Sequence, residues 1–207
     1  MKHRFLFSFL VLLALVMWAS SLPQTSNSNQ QAGLKSDSQS TRWTETDERT
    51  LLAKAQRGDA SAQMWLASAY EQGWFGKTNF PEALKWYRRS AEQGNADAQN
   101  ELGQMYGDGE GVPQNYALAA KWYRKAAEHV PDSGGAGQGR NNLGMLYVDG
   151  QGVTKDYVQA YMWFRLAAFE PNPNLSFAEA HMTFEQILEA ERLAVEWKTR
   201  RRKQWVK

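Results

Sequence analysis

The chain has 207 residues, with 24 Lys and Arg against 22 Asp and Glu, 43% hydrophobic residues, three His and no Cys. That length suits one domain of ordinary size. The absence of cysteine excludes disulfides, thiol catalysis and thiolate metal ligands, so stability has to come from packing. In chain order, Met1–Ser21 begins with the basic Lys2, His3 and Arg4, runs on through the apolar Phe5–Trp18 and ends on the small Ala19, Ser20 and Ser21. This is the pattern of an export signal cleaved after Ser21. An uncleaved anchor is the alternative, although the run is short beside the roughly 20 residues of a typical span. The expected location is periplasmic or secreted, or else anchored in the inner membrane and facing the periplasm. Residues 22–43 are dominated by Ser, Gln, Asn and Thr without an apolar period, the composition of a disordered linker.

A solenoid is expected over 44–203. Thr44 or Thr46 caps a first helix, Glu45–Arg57, whose packing face is Leu51, Leu52 and Ala55; Thr44 with Asp47 resembles a capping box. Gly58 stops that helix and Asp59 caps the next. Three copies of one unit follow, about 55–90, 91–126 and 127–167. A shift of 36 residues lays Gly58 on Gly94, Ala62 on Ala98, Leu66 on Leu102, Tyr70 on Tyr106 and Trp86 on Trp122. In the middle copy, Asn95 opens a helix over Ala96–Gly107. A joint with Gly109, Gly111 and Pro113 follows, then a second helix over Tyr116–Glu128 capped by Asn115. The third copy places Leu143, Tyr147, Gly150, Gly152 and Trp163 correspondingly, at a spacing of 41 because of residues inserted before its first helix. Self-similarity at this period is the signature of a helical repeat array.

The copies also differ. The first has Phe75 where the second has Gly111, with Trp74 beside it; these rings either fold back as core or face a partner. The inserted run before Gln138 reads as a wide flexible bend, either a tolerated surface loop or an adornment of a binding face. Pro171 and Pro173 end the third copy, and Leu175–Met182 gives a short helix. Thr183 with Gln186 is a capping box. The last helix, Phe184–Arg202, uses Ile187, Leu188, Glu191, Leu193, Ala194 and Trp197 to close the stack as a degenerate C-terminal cap over 168–203. A basic tail end, 204–207, follows. The basic residues of Lys198–Lys207 either mark a solvated helix end or touch lipid headgroups, an acidic polymer or an acidic partner.

The repeated alanines let helices approach closely, Leu66, Leu102 and Leu143 fill the space between pairs, and the repeated tryptophans read as packing. These motifs resemble the Sel1-like repeats, relatives of the tetratricopeptide repeats. The resemblance rests on Ala62-Gln63 and Ala98-Gln99, on Leu102-Gly103-x-x-Tyr106 and Leu143-Gly144-x-x-Tyr147, and on Gly109-x-Gly111-Val112 and Gly150-x-Gly152-Val153. Ala119-x-x-Trp122-Tyr123 and Ala160-x-x-Trp163-Phe164 complete it. It spans about Asp47–Lys198. It implies an all-α, right-handed α/α solenoid of stacked antiparallel helix pairs. It also implies a binding role: an adaptor holding proteins or peptides, of the kind exported bacterial members supply to envelope assemblies.

Catalytic chemistry finds no support in the residue pattern. His3, His129 and His181 share no ligand spacing, no nucleophile elbow is present, and the Gly-x-Gly pairs recur with the repeat as joints rather than phosphate loops. No cofactor, no metal and no nucleic-acid partner is expected. The leading reading is a non-catalytic protein-interaction scaffold. The alternative is a glycan or cell-wall polymer module, which predicts solvent-facing rings in register at Tyr87, Tyr123 and Phe164. A hydrolase with two apposed acids is the third. Residues of the first helices that differ between copies are the candidate partner-binding set: Gln63, Gln99, Asn100, Gln104, Arg140 and Asn141. Membrane contact would come through an uncleaved signal or the basic tail.

Overall fold

The computed structural model describes residues 45–129, 133–167 and 172–205, which belong to one compact unit within Trp43–Lys207. The expected signal, the linker and the Thr44 cap lie outside the described residues. The helices are α1 Glu45–Gln56, α2 Ala60–Gln72, α3 Phe80–Glu92, α4 Ala96–Asp108 and α5 Tyr116–Ala127. They continue with α6 Gly134–Asp149, α7 Tyr157–Ala167, α8 Pro173–Glu179 and α9 Phe184–Trp205. Among the described residues there is no strand. The expected all-α solenoid of stacked antiparallel helix pairs is what forms: α2 packs on α3, α4 on α5 and α6 on α7. The second helix of each pair lies on the first helix of the next, α4 lies beside α6, and α1 and α9 pack at the two ends on α2 and α7.

Local chemistry sets the boundaries. Asp59, Asn95 and Asn115 each accept the backbone N–H three residues on, satisfying a helix start that has no internal acceptor. Thr183 and Gln186 close the expected capping box in both directions, at 2.8 Å and 3.3 Å. Thr46 lies inside α1, so it caps nothing. Each first helix ends on a left-handed glycine, with φ of 69° at Gly73, 79° at Gly109 and 72° at Gly150. The turn beyond is closed by the same bond in all three copies. The N–H of Asn79, Asn115 or Asp156 donates to the carbonyl of Tyr70, Tyr106 or Tyr147 at 2.7–2.9 Å. The first copy therefore keeps the joint even without Gly-x-Gly. Its Phe75 folds back edge-on to Tyr70 at 5.6 Å and packs on the core, while Trp74 is 38% exposed.

The core follows the repeat. Leu66, Leu102 and Leu143 are fully buried, as are Ala98, Ala119, Ala126, Ala127 and Ala160. Trp86 and Trp163 are buried and Trp122 half-buried, which makes the tryptophans packing. Arg88 and Arg124 each reach across to the next copy, donating to Tyr106 Oη and Tyr147 Oη at 3.0 Å and 2.7 Å. Arg165 holds the corresponding place in the third copy and bonds to Glu191 of α9 instead, at 3.0 Å.

Three expectations change. The bend expected before Gln138 is helical from Gly134 onward. Glycine there serves close approach, not flexibility: a Cβ on Gly135 would fall 2.4 Å from Asp97 Cα, and one on Gly139 would fall 2.7 Å from Ala126 Cβ. Pro173 starts α8 instead of ending the third copy, because the first turn of a helix has no use for the N–H proline lacks. Leu188, placed by its spacing on the packing face of α9, is 54% exposed, and Ala190, Leu193, Ala194 and Trp197 make the contact instead.

Candidate functional site

The seam between α4 and α6 opens into a cleft of about 220 Å³ lined by Asn100, Glu101, Gln104, Gln138, Asn141 and Asn142. Its lining is almost wholly amide. Asn100 is fully buried at its floor; its Nδ2 donates to Gln138 Oε1 at 3.2 Å and to Glu101 Oε1 at 3.3 Å, and its Oδ1 accepts from Asn142 Nδ2 at 3.0 Å. Asn141 is held from the far side by Asn174 of α8, whose Nδ2 donates to Asn141 Oδ1 at 3.0 Å. Gln104 and Gln138 are exposed at the rim. This chain of amides is pre-oriented, and rigid donors and acceptors cost little ordering when a partner binds.

The electrostatics are acidic. Desolvation holds the Glu101 carboxyl above the usual carboxylate range, the Asn100 amide opposes that shift, and Glu71 and Asp97 add to it. Glu71 is also raised, by burial first; a hydrogen bond from Tyr87 Oη at 2.9 Å opposes the rise. Asp97 accepts the N–H of Gly135 at 2.6 Å, stitching α6 onto α4 beside the cleft. Trp65, one repeat before Glu101, is 49% exposed on α2, and Met145, one repeat after Gln104, is 37% exposed on α6.

Of the six candidate residues, the structure brings Asn100, Gln104 and Asn141 together here. It places Gln63, Gln99 and Arg140 elsewhere, and for one shared reason. Gln63 Nε2 donates to Ala55 O and Gln99 Nε2 to Ala91 O, each at 2.9 Å, so each amide caps the last turn of the helix before it. Arg140 holds the same repeat position and does more. Its Nε donates to Ala127 O at 3.0 Å, its Nη1 to Leu166 O at 3.0 Å and its Nη2 to His129 O at 3.3 Å, while its guanidinium lies 4.9 Å from the Trp197 ring. It is 1% exposed and closes the C-terminal ends of both α5 and α7. All three are fold residues rather than surface for a partner. The cleft residues not anticipated from the sequence are Glu101, Gln138 and Asn142. Their signal was available: positions 65, 101 and 142 correspond between copies and carry Trp, Glu and Asn.

The ring ladder named for a glycan surface is absent, since Tyr87, Tyr123 and Phe164 are 1%, 6% and 1% exposed. Tyr123 and Phe164 each lie under the first helix of their own pair. A Cβ on Gly103 would sit 2.6 Å from the Tyr123 ring, and one on Gly144 would sit 2.5 Å from that of Phe164, which explains the glycine after Leu102 and Leu143. Among the described residues no group of three or more His, Asp or Glu could hold a metal ion, and no helix is long and apolar enough to cross a membrane.

The comparisons with known proteins agree with this architecture. The Sel1 repeat family model matches residues 60–95, 96–129 and 138–168. The crystal structure of a Sel1 repeat protein from Oxalobacter formigenes is similar at 35% identity and a TM-score of 0.54, over 60% of this chain and 49% of that one. A protective antigen of uropathogenic Escherichia coli displaying an SLR fold is similar at 36% identity and a TM-score of 0.58, over 76% of this chain and 33% of that one. The chain thus spans less than half the length of these two relatives. No curated protein sequence matches it significantly. With three matched repeats, joints closed by one recurring bond and a glutamine or arginine that caps the preceding helix at each repeat, the chain belongs to the Sel1-repeat family.

Proposed function

We propose that the repeat domain is a non-catalytic protein-interaction module that holds a partner polypeptide along the seam of α4 and α6. The observation that carries this reading is the amide-lined cleft of Asn100, Gln104, Gln138, Asn141 and Asn142. An extended segment presents N–H and C=O groups in alternation, and side-chain amides offer both an acceptor and a donor to meet them. The exposed Trp65 on α2 and Met145 on α6 offer apolar contact of the type that anchors interfaces. Glu101 and Asp97 favour a segment with a basic residue over an acidic one. A glycan reading is less well supported, because it needs aromatic platforms and the rings in register are buried.

In this reading the module works in the bacterial envelope or outside the cell, on the strength of Lys2–Arg4 and the Phe5–Trp18 run. Membrane contact would rest on that run if it stays uncleaved. Mass spectrometry of the protein from its native cell should find a start near Leu22; an intact Met1 in a soluble cytoplasmic fraction would refute export. For the site, affinity capture from envelope extracts should return a reproducible partner that is lost with Gln104→Arg, which fills the rim without touching the core. Retention of the same partner by that variant would move the binding site away from this cleft.

A further inference from the structure

The outer face of α9 is built unlike the end of a closed stack. Terminal units of solenoids normally turn a polar face outward. Here Phe184, Leu188 and Val195 are 70%, 54% and 61% exposed. They lie on one stripe, since spacings of four and seven residues return to the same side of a helix. The stripe continues through Lys198 and Arg202, while Glu191, at the same spacing, is held by Tyr161 and Arg165 of α7 at 3.1 Å and 3.0 Å. The opposite side of α9 is already occupied, with Ala190 and Ala194 buried and Trp197 set edge-on to Trp163 at 6.0 Å. Helix length adds a second sign. α9 runs for 22 residues, whereas α7, the helix it packs on, has 11. Rise per residue is the same in both, so α9 is twice as long as its seat and extends beyond it.

Charge along α9 is divided. Between Phe184 and Glu196 there are Glu185, Glu189, Glu191 and Glu196 against Arg192, with Glu191 also paired to Arg165 of α7; from Lys198 to Lys203 there are five basic residues and no acid, with Arg201 paired to Glu128. A helix with an acidic half and a basic half is complementary to itself when reversed, and repels itself when parallel.

We propose that this stripe is the contact between two copies of the chain, with their α9 helices packed antiparallel about a two-fold axis near Leu193. In that arrangement Phe184 of one copy meets Arg202 of the other, a ring beneath a guanidinium. Leu188 meets the methylene stem of Lys198, which covers apolar surface while its ammonium stays in water. Val195 lies opposite Glu191 of the other copy, whose carboxylate is already neutralised by Arg165 of α7. Glu185 and Glu189 flank the basic end of the other copy. The acidic flank disfavours the other occupant such a stripe suggests, an anionic lipid surface.

Sedimentation velocity of the full chain over a wide concentration range tests the proposal. A concentration-dependent dimer is expected, weakened by added salt and shifted to monomer by Leu188→Glu with Val195→Glu. Two charge variants keep the test independent of folding: Glu185→Lys with Glu189→Lys, and Arg202→Glu with Lys203→Glu. Each should be monomeric alone, and the two mixed should form a heterodimer, with helical circular dichroism unchanged throughout. A wild-type monomer at every concentration would overturn the proposal. A dimer indifferent to all three variants would overturn it too, as would recovery of the monomer on vesicles containing anionic lipid. None of these outcomes bears on the cleft of α4 and α6.

Discussion

Gly152 and Gly58 are a matched pair for measuring what holds one repeat to the next. Both have positive φ, 68° at Gly152 and 96° at Gly58. Alanine at either adopts a backbone that an L-residue disfavours by about 1–2 kcal/mol. Their surroundings differ. Around Gly58 a Cβ would meet nothing within 4 Å. At Gly152 it would fall 2.3 Å from Tyr116 C, 2.4 Å from Tyr116 O and 2.5 Å from Ala117 N, all backbone atoms at the start of α5 in the preceding repeat. A helix backbone cannot swing aside as a side chain can, so the two repeats must separate locally. Overpacking of this kind adds about 1–3 kcal/mol. Gly58→Ala should therefore cost about 1–2 kcal/mol and Gly152→Ala about 2–5 kcal/mol, the second being a large part of the stability of an ordinary domain. Urea melts followed by circular dichroism give both, with midpoints compared at constant slope. Equal midpoint shifts for the two variants would show that the close approach to Tyr116 carries no energy, and would refute the reasoning.

Arg140→Ala strips a charge-assisted donor from carbonyls at two helix ends. It should destabilise by about 3–5 kcal/mol, and Arg140→Lys should recover little because one ammonium cannot span both carbonyls. Thermal melts of both variants read this directly, and full rescue by lysine would mean that charge alone matters. Gly109 also has a left-handed backbone, with φ of 79°. Gly109→Val should cost at least about 1 kcal/mol in the same melts, and an unchanged midpoint would mean that this glycine only relieves crowding. The Glu101 carboxyl is raised in the folded state by burial, so the fold binds its proton more tightly than the unfolded chain does. Its contribution is fully present below the unfolded carboxylate range and is lost as pH rises through the folded value. Stability should thus decline across that interval, and Glu101→Gln should flatten the decline and raise the melting temperature at neutral pH; an unchanged profile would show that the cleft does not desolvate this group.

The repeat was legible because each unit solves the same local problem with the same residues. A helix start needs a short polar acceptor, supplied at Asp59, Asn95 and Asn115, and a helix end followed by a reversal needs glycine, supplied at Gly73, Gly109 and Gly150. These are near-neighbour constraints, and periodicity displays them. The fold class, the joints and the packing role of the tryptophans follow from them.

The site was legible only in part, because polarity in a sequence does not say what a polar group bonds to. Gln63, Gln99 and Arg140 look like polar surface, yet each closes the end of another helix and is buried for that purpose. Gln104 and Asn141 look no different on paper and line a cleft. Gly135 reads as part of a flexible bend and acts as contact, since only the neighbouring helix reveals the missing space. The spacing of Leu188 placed it inward, but which side of α9 faces α7 is decided by where Trp163 sits. The amino-acid sequence settles what each backbone segment does with its own hydrogen bonds. The packing of one helix on another decides which side chains those bonds consume and which are left to face a partner.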